Sequence, residues 1–148
     1  MEPPWGLGCI AISPDKTTVA CGRVANRNLL FCDVALARVR ARWVAHTSRT
    51  EHMAFAPDGN TLATSAYDTI KLWNVATRQE LLSLESPDGN VTSLEFSSDG
   101  RTLATGHSTG AVYLWLTADD PAAAAVSASV NSPALAGSRT TGPTVPNR

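Results

Sequence analysis

The chain of 148 residues has a length typical of about one domain, and it contains 43% hydrophobic and 17% charged residues. Its formal net charge of −1 argues against a whole-chain electrostatic clamp on nucleic acid. No apolar run approaches the roughly 18 residues that a membrane span needs, and the first residues lack the basic and apolar segments of a secretory signal, so we expect neither a membrane nor a nucleic acid as a partner.

One unit of roughly 42 residues recurs three times along the first 117 residues. We place unit one at residues 5–44, unit two at 45–86 and unit three at 87–117. The turns recur at intervals of 43 and 41 residues and are Ser13–Lys16, Ala56–Gly59 and Ser97–Gly100. The final apolar segments recur at intervals of 41 and 42 residues and are Leu30–Val34, Lys71–Val75 and Tyr113–Thr117. This repetition predicts a stack of similar elements.

Within each unit, the order of the segments is typical of short β-strands joined by turns. Proline presets φ at the second turn position, and glycine accepts the left-handed conformation that closes a hairpin. The turn residues of the three units are Pro14, Asp15, Pro57, Asp58, Gly59, Asp99 and Gly100. Short strands at near-regular spacing predict an all-β chain, with fourth strands at Arg38–Val44 and Glu80–Leu84. The segment Val112–Leu116 is apolar on both sides, which indicates sheets that are covered on both faces.

Unit one carries the three cysteines of the chain, Cys9, Cys21 and Cys32, one on each of its first three predicted strands. An odd number of cysteines without a C-x-x-C pair does not predict a disulfide framework or a zinc site. We therefore expect small buried apolar side chains and a reducing, cytoplasmic compartment.

Three arginines, Arg38, Arg40 and Arg42, alternate along the predicted fourth strand of unit one. A period of two places them on one face of the strand. Two interpretations remain open. The charges either protect an outer strand from edge-to-edge pairing or form a patch that binds an acidic partner or a phosphate.

The final segment, residues 118–148, is rich in alanine, serine and proline and contains no aromatic residue. Its prolines interrupt any helix or central strand, and its few larger aliphatic residues cannot bury enough surface to offset the entropy of ordering. We predict a disordered tail.

The residue types used in catalysis lack the spacing that an active site needs. His52 and His107 fall in different units with no Asp, Glu or Cys at ligand spacing, and Ser65 has neither a nucleophile elbow nor an arranged base. We therefore expect no enzymatic activity, no catalytic or metal-binding residue and no cofactor. An alternative from another class is a hydrolase or metal-dependent enzyme that uses His46, His52 and Asp68.

The order of the motifs in unit two resembles the WD40-repeat family, whose four-stranded blades form a β-propeller. The matching segments are Ala45-His46, Pro57–Gly59, Leu62–Ser65, Asp68 and Ile70–Asn74. The resemblance covers about residues 5–117 and implies an internal network of a histidine, a hydroxyl residue, an aspartate and a tryptophan in each blade. His46, Asp68 and Trp73 match three of these positions, and Ala66 replaces the hydroxyl residue.

The other two units depart from the pattern of the family. Unit three keeps Trp115, but it has Thr109 in the aspartate position and Ser86-Pro87 where the histidine would lie. Unit one has Cys32 in the tryptophan position and keeps Asp33 of the signature dipeptide. We therefore expect incomplete polar networks.

The number of units determines the architecture that the resemblance implies. Propellers have four to eight blades, so we expect an open three-blade segment whose last blade lacks its outer strand. The sheet faces left open on units one and three should be apolar, and exposed apolar patches mark interfaces or aggregation sites.

The resemblance implies a noncatalytic scaffold for protein–protein interactions with unidentified protein partners. Such a chain would complete a propeller by self-association, as a homo-oligomer, or by binding a second propeller fragment. The alternative is a detached C-terminal fragment of a larger multidomain signalling WD40 protein with little independent function. Further in-frame repeats in the upstream coding sequence would favour this alternative, whereas a folded monomer would contradict self-association.

Overall fold

The computed structural model describes residues 6–23, 27–67 and 69–116. These residues form eleven β-strands and no helix. Sheet one contains β1 (Leu7–Ile12), β2 (Thr18–Arg23), β3 (Asn28–Asp33) and β4 (Arg38–Val44). Sheet two contains β5 (His52–Phe55), β6 (Thr61–Ala66), β7 (Thr69–Asn74) and β8 (Glu80–Glu85). Sheet three contains β9 (Val91–Phe96), β10 (Thr102–His107) and β11 (Val112–Leu116).

Consecutive strands pair antiparallel in every sheet, so that each sheet is a simple meander. The predicted all-β fold and the open three-blade arrangement are confirmed: two sheets of four strands precede one of three among the described residues. The predicted fourth strand of unit one has the bounds of β4, and that of unit two continues one residue further, to Glu85. The predicted disordered tail, 118–148, lies outside the described residues.

The turn between the first two strands of each sheet has a residue in the left-handed region. Gly59 and Gly100 have φ of 74° and 72°, and Lys16 takes the equivalent position in sheet one with φ of 62°. Each of the three donates its backbone N–H to the carbonyl three residues earlier, at 2.8–2.9 Å. A side chain at this φ is sterically unfavourable, so the first turn is strained where the other two are not.

The core lies between the sheets in two clusters. The first joins sheets one and two around an aromatic chain, in which the ring centroids of Trp43 lie 4.8 Å from Phe31 and 6.0 Å from Trp73. The second joins sheets two and three and includes Ile70 and Leu103. Sheet two is therefore packed on both faces. The prediction of coverage on both faces rests on Val112–Leu116, which forms β11 in sheet three. It is wrong for that strand, because only one face of sheet three packs on another described sheet.

The stacking has a direction. Residues that pair across neighbouring strands share a face of the sheet. Trp73 and its partner Leu62 pack against sheet one, whereas Ile70 and its partner Leu84 pack against sheet three. We call the face with Trp73, and the equivalent face of the other sheets, the front face, and the opposite face the back face. The front face of sheets two and three packs on the back face of the preceding sheet, which leaves the front of sheet one and the back of sheet three without a covering sheet among the described residues.

Candidate functional site

A buried hydrogen-bond network lies at the front face of sheet two. The hydroxyl Oγ1 of Thr64 lies 2.7 Å from Nε2 of His46 and accepts a hydrogen bond from Nε1 of Trp73 at 2.8 Å. Both Thr64 and His46 are buried. The interpretation that Ala66 replaces the hydroxyl residue is wrong, because Thr64, two residues earlier on β6, supplies the hydroxyl. The recurrence of Thr64 as Thr105 was the signal in the sequence that could have identified it. The predicted Asp68 lies outside the described residues.

Burial makes His46 a weak base. Loss of hydration disfavours the charged imidazole, the nearby Lys71 ammonium acts in the same direction and Glu80 opposes them, so that the pKa of His46 is lowered to about 4. The imidazole is therefore neutral at pH 7, and its Nε2 is occupied by Thr64. This geometry suits a structural link between the β4–β5 connection and sheet two rather than proton transfer to a substrate.

Sheet three contains an equivalent network with its histidine in a different place. Trp115 donates its indole N–H to Oγ1 of Thr105 at 3.0 Å, and this hydroxyl lies 2.8 Å from Nε2 of His107. Nδ1 of His107 lies 2.8 Å from Oγ of Ser86, which donates to the carbonyl of Gly89. This direction places the proton of a neutral His107 on Nδ1. Sequence reasoning missed the role of His107, since it sought the histidine before the turn and not on β10.

The turn aspartates bind their own turns. Asp15 accepts hydrogen bonds from Oγ of Ser13 at 2.6 Å and from the backbone N–H of Thr17 at 3.0 Å, which lowers the pKa of its carboxyl. Asp99 makes the same contacts with Ser97 and Arg101, and its pKa is lowered for the same reason. Asp58 accepts the backbone N–H of Asn60 at 2.9 Å. These carboxylates stabilise the hairpins.

The turns of neighbouring sheets lie side by side. A Cβ built on Gly59 would lie 3.7 Å from Cδ of Pro14, and one built on Gly100 would lie 3.5 Å from Cδ of Pro57. The predicted turn residues therefore form one row along the same edge of the stack.

The predicted arginine row is interrupted by a β-bulge. The register of β3 and β4 shifts between Phe31 and Cys32, so Arg38 pairs with Asp33 and Arg42 pairs with Leu30. Positions 30 and 33 lie on opposite faces of the regular strand β3, which places Arg38 and Arg42 on opposite faces as well. The expectation that the three arginines share one face is therefore wrong. Arg40 lies 3.9 Å from the carboxylate of Asp33, which also accepts the backbone N–H of Leu36 at 2.8 Å.

Apolar side chains are exposed on both open faces. The front face of sheet one carries Ile10 and Ile12, which are 57% and 59% exposed, and it also includes Val39 and Val44. The back face of sheet three carries Val112 and Leu116 at 38% and 42% exposed. On each open face, these exposed side chains occupy the kind of position that is buried between the sheets elsewhere in the stack.

The three cysteines are free thiols on β1, β2 and β3, as predicted. The expectation that all three are buried is wrong, because Cys21 is buried whereas Cys9 and Cys32 are half-buried. Burial and the neighbouring Cys32 raise the pKa of Cys21 to about 11, and burial raises that of Cys9. Cys21 and Cys32 occupy the positions equivalent to Thr64 and Trp73 in sheet two. Sheet one therefore lacks the hydroxyl–indole hydrogen bond at its front face.

A cleft of about 550 Å³ lies where the first strands of the three sheets meet, lined by residues of all three. Arg49 and Glu51 form an ion pair at 3.0 Å on its wall. Thr50 and His52 also line the cleft, and the buried Oγ1 of Thr50 has no hydrogen-bond partner. Among the described residues, no group of three or more His, Cys, Asp or Glu side chains could hold a metal ion, and no helix there is long and apolar enough to cross a membrane.

The family profile described as "WD domain, G-beta repeat" matches residues 38–74 and 78–115. An uncharacterized WD repeat-containing protein of Schizosaccharomyces pombe is 28% identical over 111 residues, which are 74% of this chain and 18% of that protein. A coronin-like protein of Saccharomyces cerevisiae is 45% identical over 62 residues, which are 40% of this chain and 9% of that protein. The guanine nucleotide-binding protein subunit beta-1 of Nicotiana tabacum is 33% identical over 84 residues, which are 53% of this chain and 22% of that protein.

The chain thus spans less than a quarter of the length of these relatives. Among solved structures, the hydrazine synthase of Kuenenia stuttgartiensis superposes with a TM-score of 0.70 at 22% identity. The match covers 76% of this chain and 33% of that one. At this identity the likeness extends to the fold alone.

Proposed function

The chain belongs to the WD40 family, and from that premise we propose that it is a noncatalytic scaffold for protein–protein interactions. The observation that carries the proposal is the pair of open sheet faces, because exposed apolar faces of this kind mark interfaces. Ile10, Ile12 and Val44 are each more than half exposed on one of them. The tobacco relative is by its name a subunit of an assembly, which is consistent with the same use of the repeats here.

The chemistry of the histidines supports the noncatalytic part of the proposal. A general acid or base is most effective when its pKa lies near the working pH and its nitrogen can reach a substrate. His46 has a pKa of about 4 and is bound to Thr64, and both ring nitrogens of His107 lie within hydrogen-bond distance of protein hydroxyls.

Protein partners are proposed to bind at the cleft between the first strands, and the apolar faces are proposed to recruit further blades. A second copy of this chain or another propeller fragment would supply those blades. A cytoplasmic location is proposed on the basis of the three free thiols. The alternative is that the segment functions as part of a larger WD40 protein, and a sequenced transcript with further in-frame repeats would favour it.

The scaffold proposal is tested at the cleft. The immobilised chain is exposed to extract, the retained proteins are identified by mass spectrometry, and each is produced pure for a binding titration. Arg49→Glu reverses a charge on the cleft wall and should weaken binding of a genuine partner at least tenfold. Arg101→Glu, at an exposed turn, is the matched control and should bind like the wild-type chain. Equal binding by all three proteins would overturn the placement of the partner at the cleft, and no saturable binding by the wild type would overturn the scaffold proposal.

A further inference from the structure

The two internal interfaces of the stack bring equivalent positions of neighbouring sheets into one cluster. At the first, Leu29 on the back of sheet one shares a cluster with Met53 on the front of sheet two. At the second, Ile70 on the back of sheet two shares a cluster with Leu94 on the front of sheet three. Leu29 and Ile70 are equivalent in register. Leu29 pairs with Gly22, the fifth residue of β2, and Ile70 pairs with Ser65, the fifth residue of β6. Both are fully buried.

Each open face carries one of the two positions that meet at the internal interfaces. Val112 pairs with Gly106 and is therefore the equivalent of Leu29 and Ile70 on the back of sheet three, but it is 38% exposed. Ile10 pairs with Cys21 and is the equivalent of Met53 on the front of sheet one. Ile10 is 57% exposed where Met53 is 8% exposed. The front face of sheet one is thus complementary to the back face of sheet three, and neither face is complementary to itself.

We propose that two copies of the chain associate head to tail, with the back of sheet three of each copy on the front of sheet one of the other. The proposal rests on the scaffold function and defines how its ring is completed. Two copies would bring together six of the described sheets, which lies within the four to eight blades of propellers. The two contacts are related by a two-fold axis, the commonest symmetry of protein oligomers. Val112 of one copy would contact Ile10 of the other.

The proposed contact between copies has the same front-on-back arrangement as the two interfaces between the sheets of one copy. A second copy of the chain is therefore the partner that fits both open faces. A front face receives only a back face in the stack, so a symmetric pairing of two front faces or two back faces would bring together surfaces that never meet internally. Head-to-tail pairing also covers both apolar faces at once, whereas any symmetric pairing of a single face leaves the other exposed to water.

The test is the mass of the full-length chain by size-exclusion chromatography with light scattering. The wild type should have twice the monomer mass of 15.6 kDa. Ile10→Glu and Val112→Lys should each yield folded monomers, because both side chains are exposed in the single copy. Leu36→Glu, at a side chain equally exposed in a turn, is the control and should remain a dimer. Circular dichroism verifies that each variant keeps its β structure.

Mixing the two monomeric variants distinguishes the pairing modes. In head-to-tail pairing, one contact of the mixed dimer joins the intact Val112 of one variant to the intact Ile10 of the other. The second contact places the introduced glutamate opposite the introduced lysine, so an equimolar mixture should recover the dimer mass. If one substitution dissociates the dimer and the other has no effect, a single face pairs with itself and the proposal fails. A wild type that stays monomeric over a wide concentration range also overturns it. If that monomer still binds its partner through Arg49, the scaffold function stands without self-association.

Discussion

Thr64 and Thr105 occupy the same position in neighbouring sheets and bind tryptophan and histidine in the same way. The histidines come from different places: His46 precedes β5, whereas His107 lies on β10 itself. The imidazole that contacts the threonine hydroxyl therefore comes from a different part of the unit in each sheet. Both networks provide a buried acceptor for an indole N–H, which replaces the hydrogen bond that the indole would make to water. The buried indole N–H of Trp43 has no such acceptor.

The depressed pKa of His46 predicts a pH dependence of stability. The folded pKa of about 4 lies below the unfolded value of 6.5, so the unfolded chain binds the proton more readily. The neutral buried form contributes fully above about pH 6.5, and the contribution falls as pH drops toward 4, with a slope of up to about 1.4 kcal/mol per pH unit. Urea unfolding at intervals from pH 7 to pH 4 measures it. In His46→Gln this slope should largely disappear; an unchanged slope would assign the effect to other groups.

The sequence predicted parts of these networks and missed others for a physical reason. His46 and Trp73 could be placed because each lies at a recognisable offset from the turn. Thr64 and Ala66 lie on the same face of β6, so the sequence pattern does not show which of them lies beside Trp73. The hydrogen bonds to Trp73 and His46 identify Thr64. The role of His107 could not be predicted, since it depends on contacts with Ser86 and Thr105 across the fold.

At the scale of the strands, turn chemistry and apolar segments were sufficient to locate the hairpins and the fourth strands. The β-bulge in β4 could not be predicted from the sequence, because a bulge adds one residue to a strand without a distinctive change in composition. That single residue moves Arg42 to the face opposite Arg38. Periodicity alone therefore predicts the strand and not the side on which each arginine lies.

The first turn offers a test of backbone strain. Lys16 has φ of 62° where the other two turns have glycine. Lys16→Gly should raise the free energy of unfolding by about 0.5–1 kcal/mol, since glycine adopts this conformation without steric cost and only part of the gain is offset by its freer unfolded chain. Chemical denaturation measures the change. Lys16→Ala keeps the Cβ and should give no such gain, so an equal gain in both variants would attribute the effect to the lysine side chain and not to φ.

At the scale of the whole molecule, the sheets form a one-dimensional stack in which stability depends on neighbours. The sequence indicated three units, too few to close a ring, and the described part of the chain forms three sheets and leaves two sheet faces open. The way in which those faces match could not be read from the repeats alone. It required the register, which shows that Ile10 and Val112 occupy positions whose equivalents share a cluster at each internal interface.

The number of sheets packed against each sheet predicts how strongly its amides are protected from hydrogen exchange. Sheet two is packed on both faces, and Leu62, Ala63 and Ile70 within it are fully buried. Its amides should exchange the slowest, because opening sheet two breaks both clusters, whereas opening sheet one or sheet three breaks one. Mass spectrometry of deuterium uptake in the monomeric Ile10→Glu variant measures this order. In the wild-type dimer, sheets one and three should gain protection while sheet two changes little. Uniform uptake in the monomer would mean that the three sheets open as one unit, and unchanged protection in the dimer would place its interface elsewhere.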